Sequence, residues 1–278
     1  MRQWDITAYR TMKKLLFFAS LLIVLSACNS VEPDNKQNSE RKKYVVEKIT
    51  CYDSADNHRE AYYSYDNNNR LISRVVEDTY FEQGQVKHRT WTDTYEYQNN
   101  KLVRVNSTII GELTFTYNSN GQLIQYSNNG GLINFGYHDG RMDSIYAGTD
   151  PNVYAKLEYD SKGNVVKVIS HNREYGMIEE WTGNYIVRTN TYVYDNNPRP
   201  NFNTDECFAY DPSITSGSTA VDFINLISAN NMTSNSIQET FTYSYDEQNG
   251  LPIELYTQFA DIEPTNHPTY KFTYRKIK

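Results

Sequence analysis

The chain has 278 residues, of which 25 are tyrosine, and its 34 acidic and 27 basic side chains give a formal net charge of −7. Because no cluster of Lys and Arg interrupts this acidic balance, we expect no nucleic-acid partner. The length is sufficient for a domain with a sizeable hydrophobic core.

The N-terminal region has the pattern of an export signal. Lys13 and Lys14 form a positively charged segment, and residues 15–25 are an almost unbroken apolar run. Such a run is too short for a membrane-spanning helix, which needs ~20 apolar residues. Residues 1–11 do not resemble the start of a signal peptide, so we predict that translation starts at Met12.

A lipobox, Leu25-Ser26-Ala27-Cys28, ends the apolar run. Its small residues suit a signal peptidase, and the thiol of Cys28 is the nucleophile that takes the diacylglycerol. We therefore predict a lipoprotein signal peptide over residues 1–27 and lipidation of Cys28. Asn29 follows, in place of the aspartate that retains some lipoproteins in the inner membrane. This favours the outer membrane and leaves open whether the protein lies on the periplasmic or the cell-surface face.

Residues 28–43 are polar and almost free of apolar side chains, so we expect a lipid-anchored flexible tether. Removal of residues 1–27 takes away four basic side chains and one acidic side chain, which leaves a net charge of −10. Residues 44–278 are then predicted to form a single tyrosine-rich domain.

A repeated unit runs through this domain: an aromatic residue, any residue, a tyrosine, a polar turn and an aliphatic strand. Its eight aromatic segments are Tyr63-Ser64-Tyr65, Tyr95-Glu96-Tyr97, Phe115-Thr116-Tyr117, Phe135-Gly136-Tyr137, Leu157-Glu158-Tyr159, Tyr192-Val193-Tyr194, Tyr243-Ser244-Tyr245 and Phe272-Thr273-Tyr274. Tyr97, Tyr117, Tyr137 and Tyr159 lie 20, 20 and 22 residues apart, a spacing that two strands and two turns fill. We therefore predict repeated β-hairpins with ~14–16 strands in total.

The turns and the alternation of side chains support this interpretation. In residues 117–121 and 159–163 a glycine ends the loop, where a positive φ is easily accommodated. Residues 66–69 replace that glycine with asparagine, which tolerates the left-handed region. In residues 156–159 Leu and Tyr alternate with Lys and Glu, which indicates a strand with one solvated face. The predicted fold is an all-β antiparallel meander of hairpins, curled into an open or closed barrel.

One region departs from the repeat. Ala220, Phe223, Ile224 and Ile227 have the spacing of one helix face, which predicts a short helix near residues 218–229. Such a helix fits a plug over an open end of the sheet, and a functional lid is the alternative.

The tyrosine repeat is similar to the YD repeats of bacterial toxin shells. The lipobox, the Tyr-x-Tyr hairpins and residues 226–233 together resemble more closely a domain of unknown function with a porin-like fold. That domain occurs in lipoproteins of Gram-negative gut anaerobes. In that family a helix runs into a Ser-Lys-Asn-Asn-Pro-Thr-like turn, and Ala229 and Met232 stand here in place of the lysine and the proline. The resemblance covers residues 44–278 and implies a soluble β fold shaped like a porin, with no assigned activity.

Two cysteines remain after lipidation, Cys51 and Cys207. An oxidising envelope permits a disulfide between them, and two separate thiols are the alternative. No local motif supplies the histidine that a catalytic thiol needs.

No catalytic or metal-binding pattern is evident elsewhere in the sequence. The carboxylates of Glu179-Glu180 and Asp205-Glu206 are adjacent in sequence, so on a strand they would point to opposite faces and could not flank one bond. Residues 66–77 lack the glycine of a calcium loop. The five histidines show no metal-ligand spacing. We predict no catalytic residues, no metal and no cofactor.

The tryptophans are the candidates for ligand stacking, at Trp91 and Trp181. Trp91, Asp93, Tyr95 and Tyr97 share one strand face. Rows of rings can stack on flat ligands such as sugars, whereas the same phase also fits a ring-packed core. Core packing is the interpretation that we favour for Trp91.

Two serines lie in short motifs that resemble O-glycosylation sites of exported proteins in some gut anaerobes. These motifs are Asp53-Ser54-Ala55 and Asp143-Ser144-Ile145. Ser54 and Ser144 are therefore candidate modification sites.

Taken together, the sequence predicts a non-catalytic binding or scaffolding module of the cell envelope. Its expected partners are the membrane, through the lipid, and a glycan or an envelope protein. The alternative is an envelope hydrolase whose site is assembled from distant residues. A cleft lined by converging carboxylates would favour the hydrolase, whereas a filled interior packed with rings would favour the binding module.

Overall fold

The computed structural model describes residues 44–54, 57–128, 131–175, 181–199, 224, 227–260 and 267–277. Sixteen antiparallel strands form a closed barrel, in which each strand pairs with its neighbours in sequence and β1 pairs with β16. The strands are β1 Tyr44–Ser54, β2 Asn57–Tyr65, β3 Leu71–Glu82, β4 Gln85–Gln98, β5 Lys101–Ser107, β6 Gly111–Tyr117, β7 Leu123–Asn128, β8 Gly131–His138, β9 Arg141–Ala147, β10 Tyr154–Tyr159, β11 Val165–Tyr175, β12 Trp181–Pro198, β13 Asn230–Asn235, β14 Glu239–Tyr245, β15 Pro252–Phe259 and β16 Tyr270–Lys276. The predicted antiparallel hairpin fold and its strand number are confirmed, and the barrel is closed.

The eight predicted aromatic segments are the C-terminal ends of the eight even-numbered strands. All these ends meet at one end of the barrel, which we call the tyrosine end. The opposite end, where odd-numbered strands finish, is called the distal end. Because β1 begins at Tyr44 opposite Lys276 of β16, the chain enters the barrel at the tyrosine end.

Side-chain caps hold the turns at the tyrosine end. Oδ1 of Asp66 accepts the N–H groups of Asn68 and Arg70 at 2.9 and 2.8 Å. Asn118 and Asp160 make the same pair of bonds in their own turns. Gly121 has a φ of 77° and Asn69 a φ of 59°, as predicted for these two turns. Each Asp or Asn therefore fixes its own turn through the backbone, as expected of these residue types.

A one-residue bulge follows each of six tyrosine-end turns. Tyr65 pairs with Leu71 while Ser64 pairs with Ser73, so Ile72 is the extra residue. The equivalent register shifts occur at Val103, Ile124, Asp143, Val166 and Ile253. The bulge shifts the phase of the alternation. The first two interior residues of each of these strands are therefore three positions apart, and later interior residues are two positions apart.

Tyrosine hydroxyls join neighbouring strands at the tyrosine end where no turn connects them. The phenol of Tyr117 on β6 donates to the carbonyl of Leu102, near the start of β5, at 2.8 Å. We call this bond a tyrosine clasp. The other clasps are Tyr65 to Val46, Tyr97 to Leu71, Tyr137 to Leu123, Tyr194 to Val165 and Tyr274 to Pro252, at 2.6–3.0 Å. The repeat thus ties six pairs of strands at the end opposite the connection between the two strands.

Cations cover several clasp rings. Arg70, in the turn after β2, lies 4.9 Å from the ring centroid of Tyr97. Lys101 stands over Tyr117 at 5.4 Å in the same way. These two cation–π contacts link Arg70 and Lys101 to the next unit around the barrel.

The segment before β13 packs against the tyrosine end. Ile224 and Ile227 are helical and belong to the buried core, and the rest of the predicted helix lies outside the described residues. Ser228 Oγ accepts the N–H of Val165 at 3.1 Å, and Asn231, the second residue of β13, donates from Nδ2 to the carbonyl of Pro198 at 2.7 Å. These contacts hold the described part of the segment against the tyrosine end, and its role as a plug stays a prediction.

The barrel interior is filled with aliphatic and aromatic side chains, and the outer face is charged. Leu71, Leu102, Leu113 and Ile133 are fully buried members of one core cluster. Outward-facing positions instead carry ion pairs: Lys48–Glu60, Arg104–Glu96, Arg104–Glu112, Lys167–Glu158 and Lys271–Glu254.

Candidate binding site at the distal end

The strand register brings charged side chains together inside the barrel. Arg59 of β2 pairs with Asp78 of β3, and Asp78 pairs with Arg89 of β4. Two interior rows closer to the tyrosine end, Arg74 of β3 pairs with Asp93 of β4. We call these five residues the ion-pair cluster. Its three guanidinium groups and two carboxylates carry one net positive charge, in a chain whose overall charge is negative.

Two arginines share one aspartate at the distal end. Arg89 places Nε and Nη2 at 2.7 and 2.6 Å from Oδ2 of Asp78. Arg59 Nε lies 3.3 Å from Oδ1 of the same carboxylate. Arg59 and Asp78 are almost fully buried, whereas 35% of the Arg89 side chain is exposed. Asp78 therefore fixes the guanidinium of Arg89 while leaving it within reach of solvent.

The second ion pair lies deeper. Arg74 is 1% exposed and donates from Nε to Oδ2 of Asp93 at 2.6 Å. Burial alone would lower the pKa of Arg74, but the nearby Tyr95 phenol and Asp93 carboxylate raise it above its ordinary value. Arg74 thus stays charged, and the pair is a buried ionic contact whose disruption is costly.

Aromatic rings flank the guanidinium of Arg89. Its carbon lies 5.2 Å from the ring centroid of Tyr80 and 5.4 Å from that of Trp91. Ser107, the last residue of β5, pairs with Asp93, so Trp91 and Arg89 lie on the part of β4 that extends beyond β5. The three side chains therefore stand at the rim of the distal end, on the inner face of the β3–β4 hairpin.

Two buried polar atoms near this rim lack a hydrogen-bond partner among the described residues: Nε1 of Trp91 and Oδ1 of Asp93. Trp91 is 8% exposed and Asp93 is 1% exposed. Native proteins pair most buried polar atoms with protein groups or ordered water, so each of these two atoms is able to take a further partner.

The structure describes the side chain of one of the two candidates for ligand stacking, Trp91, and not that of the other, Trp181. Trp91 belongs to the buried core cluster, so it presents no open platform for a ligand. The core interpretation of Trp91 agrees with this burial. The side chain of Trp181 lies outside the described residues, although its backbone begins β12.

The modification and disulfide candidates are only partly described. Ser144 is buried and donates from Oγ to Oδ1 of Asp143 at 2.8 Å, so a glycan there would have to be attached before the barrel folds. The side chain of Ser54 lies outside the described residues. Cys51 is buried in the interior, whereas Cys207 lies outside the described residues, so the choice between a disulfide and two separate thiols stays open.

Sequence reasoning missed four members of the cluster: Arg59, Arg74, Asp78 and Arg89. A signal was present, since Arg89, Trp91, Asp93 and Tyr95 alternate in one phase. Charged residues in phase with core aromatics are candidates for interior ion pairs.

Within the described ranges, no group of three or more His, Cys, Asp or Glu side chains is arranged to hold a metal ion. A search of the same ranges for a helix long and apolar enough to cross a membrane finds none.

Comparison with known proteins gives the lipid attachment site and the fold. The family model of the prokaryotic membrane lipoprotein lipid attachment site matches residues 12–29, which include Cys28. A search of the curated proteins finds no match. Among solved structures, a porin-like protein from Bacteroides uniformis aligns over 83% of this chain and 98% of its own, with a TM-score of 0.53 and 14% identity.

Two further solved structures are more distant. A porin-like protein from Bacteroides vulgatus aligns over 83% of this chain and 98% of its own, at a TM-score of 0.42 and 13% identity. The Tc holotoxin pore of Photorhabdus luminescens aligns over 80% of this chain and 12% of its own, at a TM-score of 0.26 and 13% identity.

The chain is therefore a lipid-anchored envelope protein whose folded part is a closed, porin-like β-barrel. The resemblance predicted from the lipobox and the tyrosine hairpins is confirmed at the level of the fold.

Proposed function

We propose that this protein is a non-catalytic binding module of the outer membrane, attached through lipid on Cys28. The observation that carries the proposal is the position of the ion-pair cluster. Arg89 stands partly exposed between two rings at the end of the barrel opposite the entry of the anchored chain. A tether over residues 28–43 would leave that end free to meet a ligand. It would reach roughly 55 Å if fully extended.

The outer face of the barrel supports a position outside the hydrocarbon core of the membrane. Arg104, for example, lies between Glu96 and Glu112 on outward-facing positions of β4–β6. A charged side chain on the lipid face of a spanning barrel costs ~2–4 kcal/mol near the bilayer centre. Ion pairs on several sides of the barrel therefore suit a water-facing surface held by a lipid anchor.

The spacing of the carboxylates disfavours the alternative, an envelope hydrolase. Asp78 is paired with Arg89, and Asp93 lies four residues along β4 from Arg89. Four residues span roughly 13 Å on a strand. Glycosidases place their two carboxyl groups ~5–9.5 Å apart. Asp78 and Asp93 are therefore too far apart to flank one glycosidic bond, and each is bound by arginine.

Co-sedimentation separates the two functions. The mature chain with Cys28→Ser is incubated with insoluble envelope polysaccharide and with peptidoglycan, and both bound protein and released sugar are measured. A binding module is retained in at least one pellet and releases no sugar. Release of soluble sugar would establish the hydrolase, and absence of the protein from every pellet would overturn the binding function.

The anchor is tested in cells that express the full chain, either as the wild type or as Cys28→Ser. Wild-type protein should partition into detergent with a mass increase from the lipid on Cys28, whereas Cys28→Ser should accumulate as a precursor that does not. Fractionation of the outer and inner membranes then tests the sorting that we infer from Asn29. A wild-type chain without lipid, or one found in the inner membrane, would contradict this part of the proposal.

A further inference from the structure

We propose that the rim formed by Tyr80, Arg89 and Trp91 binds the oxyanion group of an acidic envelope sugar. The shared chemistry is a carboxylate or a phosphate ester carried on a sugar ring. This inference rests on the proposed binding function and assigns it a site.

The guanidinium of Arg89 is held ready for such a group. Asp78 binds Nε and Nη2, and these two contacts leave Nη1 without a partner among the described residues. The rings of Tyr80 and Trp91 cover both flanks, so the free edge of the guanidinium is the part that a ligand can approach. Planar guanidinium groups recognise carboxylate and phosphate oxygens through paired N–H donors.

The surrounding charges favour an anion at this position. Arg59 adds a second guanidinium on the far side of Asp78, so the single carboxylate of this row faces two cations. Outside the cluster, the negative charge of the chain repels free anions, so selectivity for an anion requires such a local site.

The indole of Trp91 supplies the second observation. Nε1 is a buried donor with no partner among the described residues, and the ring touches the guanidinium that would bind the ligand. Because this N–H is buried, a hydroxyl of the same sugar accepts from it only when binding displaces the side chains that cover it. An acidic sugar thus satisfies both free donors of the rim, whereas a neutral sugar leaves the guanidinium edge unused.

Trp91 is also a reporter for the experiment. After removal of residues 1–27 the chain has two tryptophans, Trp91 and Trp181, so Trp181→Phe leaves Trp91 as the single indole. The mature Cys28→Ser, Trp181→Phe protein is titrated with glucuronate, glucose 6-phosphate, glucose and inorganic phosphate, and the emission of Trp91 is recorded. Arg89→Gln tests the site, and Arg104→Gln, an arginine of the outer face, is the matched control.

We expect saturable emission changes with glucuronate or glucose 6-phosphate, at least tenfold weaker binding of glucose, and weaker binding at higher salt. Comparison of the affinities for glucuronate and glucose 6-phosphate shows whether the site prefers a carboxylate or a phosphate ester. Arg89→Gln should lose at least tenfold in affinity and Arg89→Lys should lose less, while Arg104→Gln should bind as well as the parent.

Three results would overturn the site. These are saturation by neither acidic sugar, equal affinity for glucose, and unchanged affinity in Arg89→Gln. Inorganic phosphate binding as tightly as glucose 6-phosphate would overturn the role of the sugar ring. The melting temperature and the emission maximum of each variant show that it is folded. If the site fails while the protein still co-sediments with envelope material, the binding module stands and its ligand binds elsewhere.

Discussion

The two ends of the barrel are built from different chemistry. At the tyrosine end, neutral phenols donate to backbone carbonyls, and the same bond recurs from unit to unit. At the distal end, charged side chains from β2, β3 and β4 converge on two buried aspartates, and among the described residues no other unit buries an arginine together with an aspartate. The repeated tyrosine bonds are what we expect of contacts that stabilise the barrel. The ion-pair cluster departs from the repeat, and we therefore assign it a role in function. The following predictions test that distinction, beginning with the largest expected effect.

High pH should unfold the barrel through its tyrosines. Burial raises the pKa of Tyr194 and of Tyr274 well above the ordinary value, and burial of Tyr192 acts in the same direction. Because the folded pKa exceeds the unfolded pKa of about 10, their contribution is complete below pH ~10 and is lost as the pH rises above it. Each such tyrosine costs about 1.4 kcal/mol per pH unit in that range, so three cost roughly 4 kcal/mol by pH ~11.

Circular dichroism and tyrosinate absorbance, followed together from neutral to alkaline pH, measure this effect. We expect the buried phenols to ionise only as the strands unfold. Ionisation of most tyrosines at an unchanged circular dichroism spectrum would show that the clasps do not hold the fold.

Removal of Asp93 should destabilise the domain by about 3–5 kcal/mol, because it leaves the buried guanidinium of Arg74 unpaired. The matched control is Glu96→Ala, three residues along the same strand on the solvated face, where the ion pair with Arg104 is exposed. The control should cost at most ~1 kcal/mol. Urea unfolding measures both, and equal losses in the two variants would mean that Arg74 and Asp93 contribute no more than a surface pair.

Loss of one tyrosine clasp should have a smaller effect. Tyr117→Phe removes the bond to the carbonyl of Leu102 and should cost about 1 kcal/mol. Tyr62→Phe, whose hydroxyl contacts Glu60 on the outer face, should change stability by less than ~0.5 kcal/mol. A Tyr97→Phe, Tyr117→Phe double variant should lose the sum of the two single effects. A Tyr117→Phe protein as stable as the wild type would remove the clasp from the list of stabilising contacts.

Much of the tyrosine end could be predicted from the sequence, because its determinants are local. The turn residues and the Tyr-x-Tyr segments set each hairpin within about 20 residues, so the even-numbered strands follow from the repeat. Closure of the barrel depends on pairing of β1 with β16, at opposite ends of the domain, and local patterns carry no information on it.

The ion-pair cluster could not be predicted from the sequence, for a physical reason. Simple alternation from Leu71 places Arg74 on the solvated face of β3, but the bulge at Ile72 shifts the phase and brings Arg74 inside. Asp78 and Arg59 reach each other and Arg89 only through the registers of β2, β3 and β4, which a single sequence does not specify. The position of the site residues is therefore set by the register between strands, whereas the tyrosine repeat is set by the local sequence of each hairpin.

The most direct measurement of the difference between the two ends places Arg89→Gln and Tyr117→Phe side by side in two assays. Each variant is melted and is tested for co-sedimentation with the envelope material that retains the wild type. We expect Arg89→Gln to lose binding with a melting temperature close to that of the wild type, because Arg59 still pairs with Asp78. Tyr117→Phe should melt several degrees lower and bind normally. Full binding by Arg89→Gln, or loss of binding by Tyr117→Phe at a temperature where it is folded, would contradict the assignment of structure to one end and function to the other.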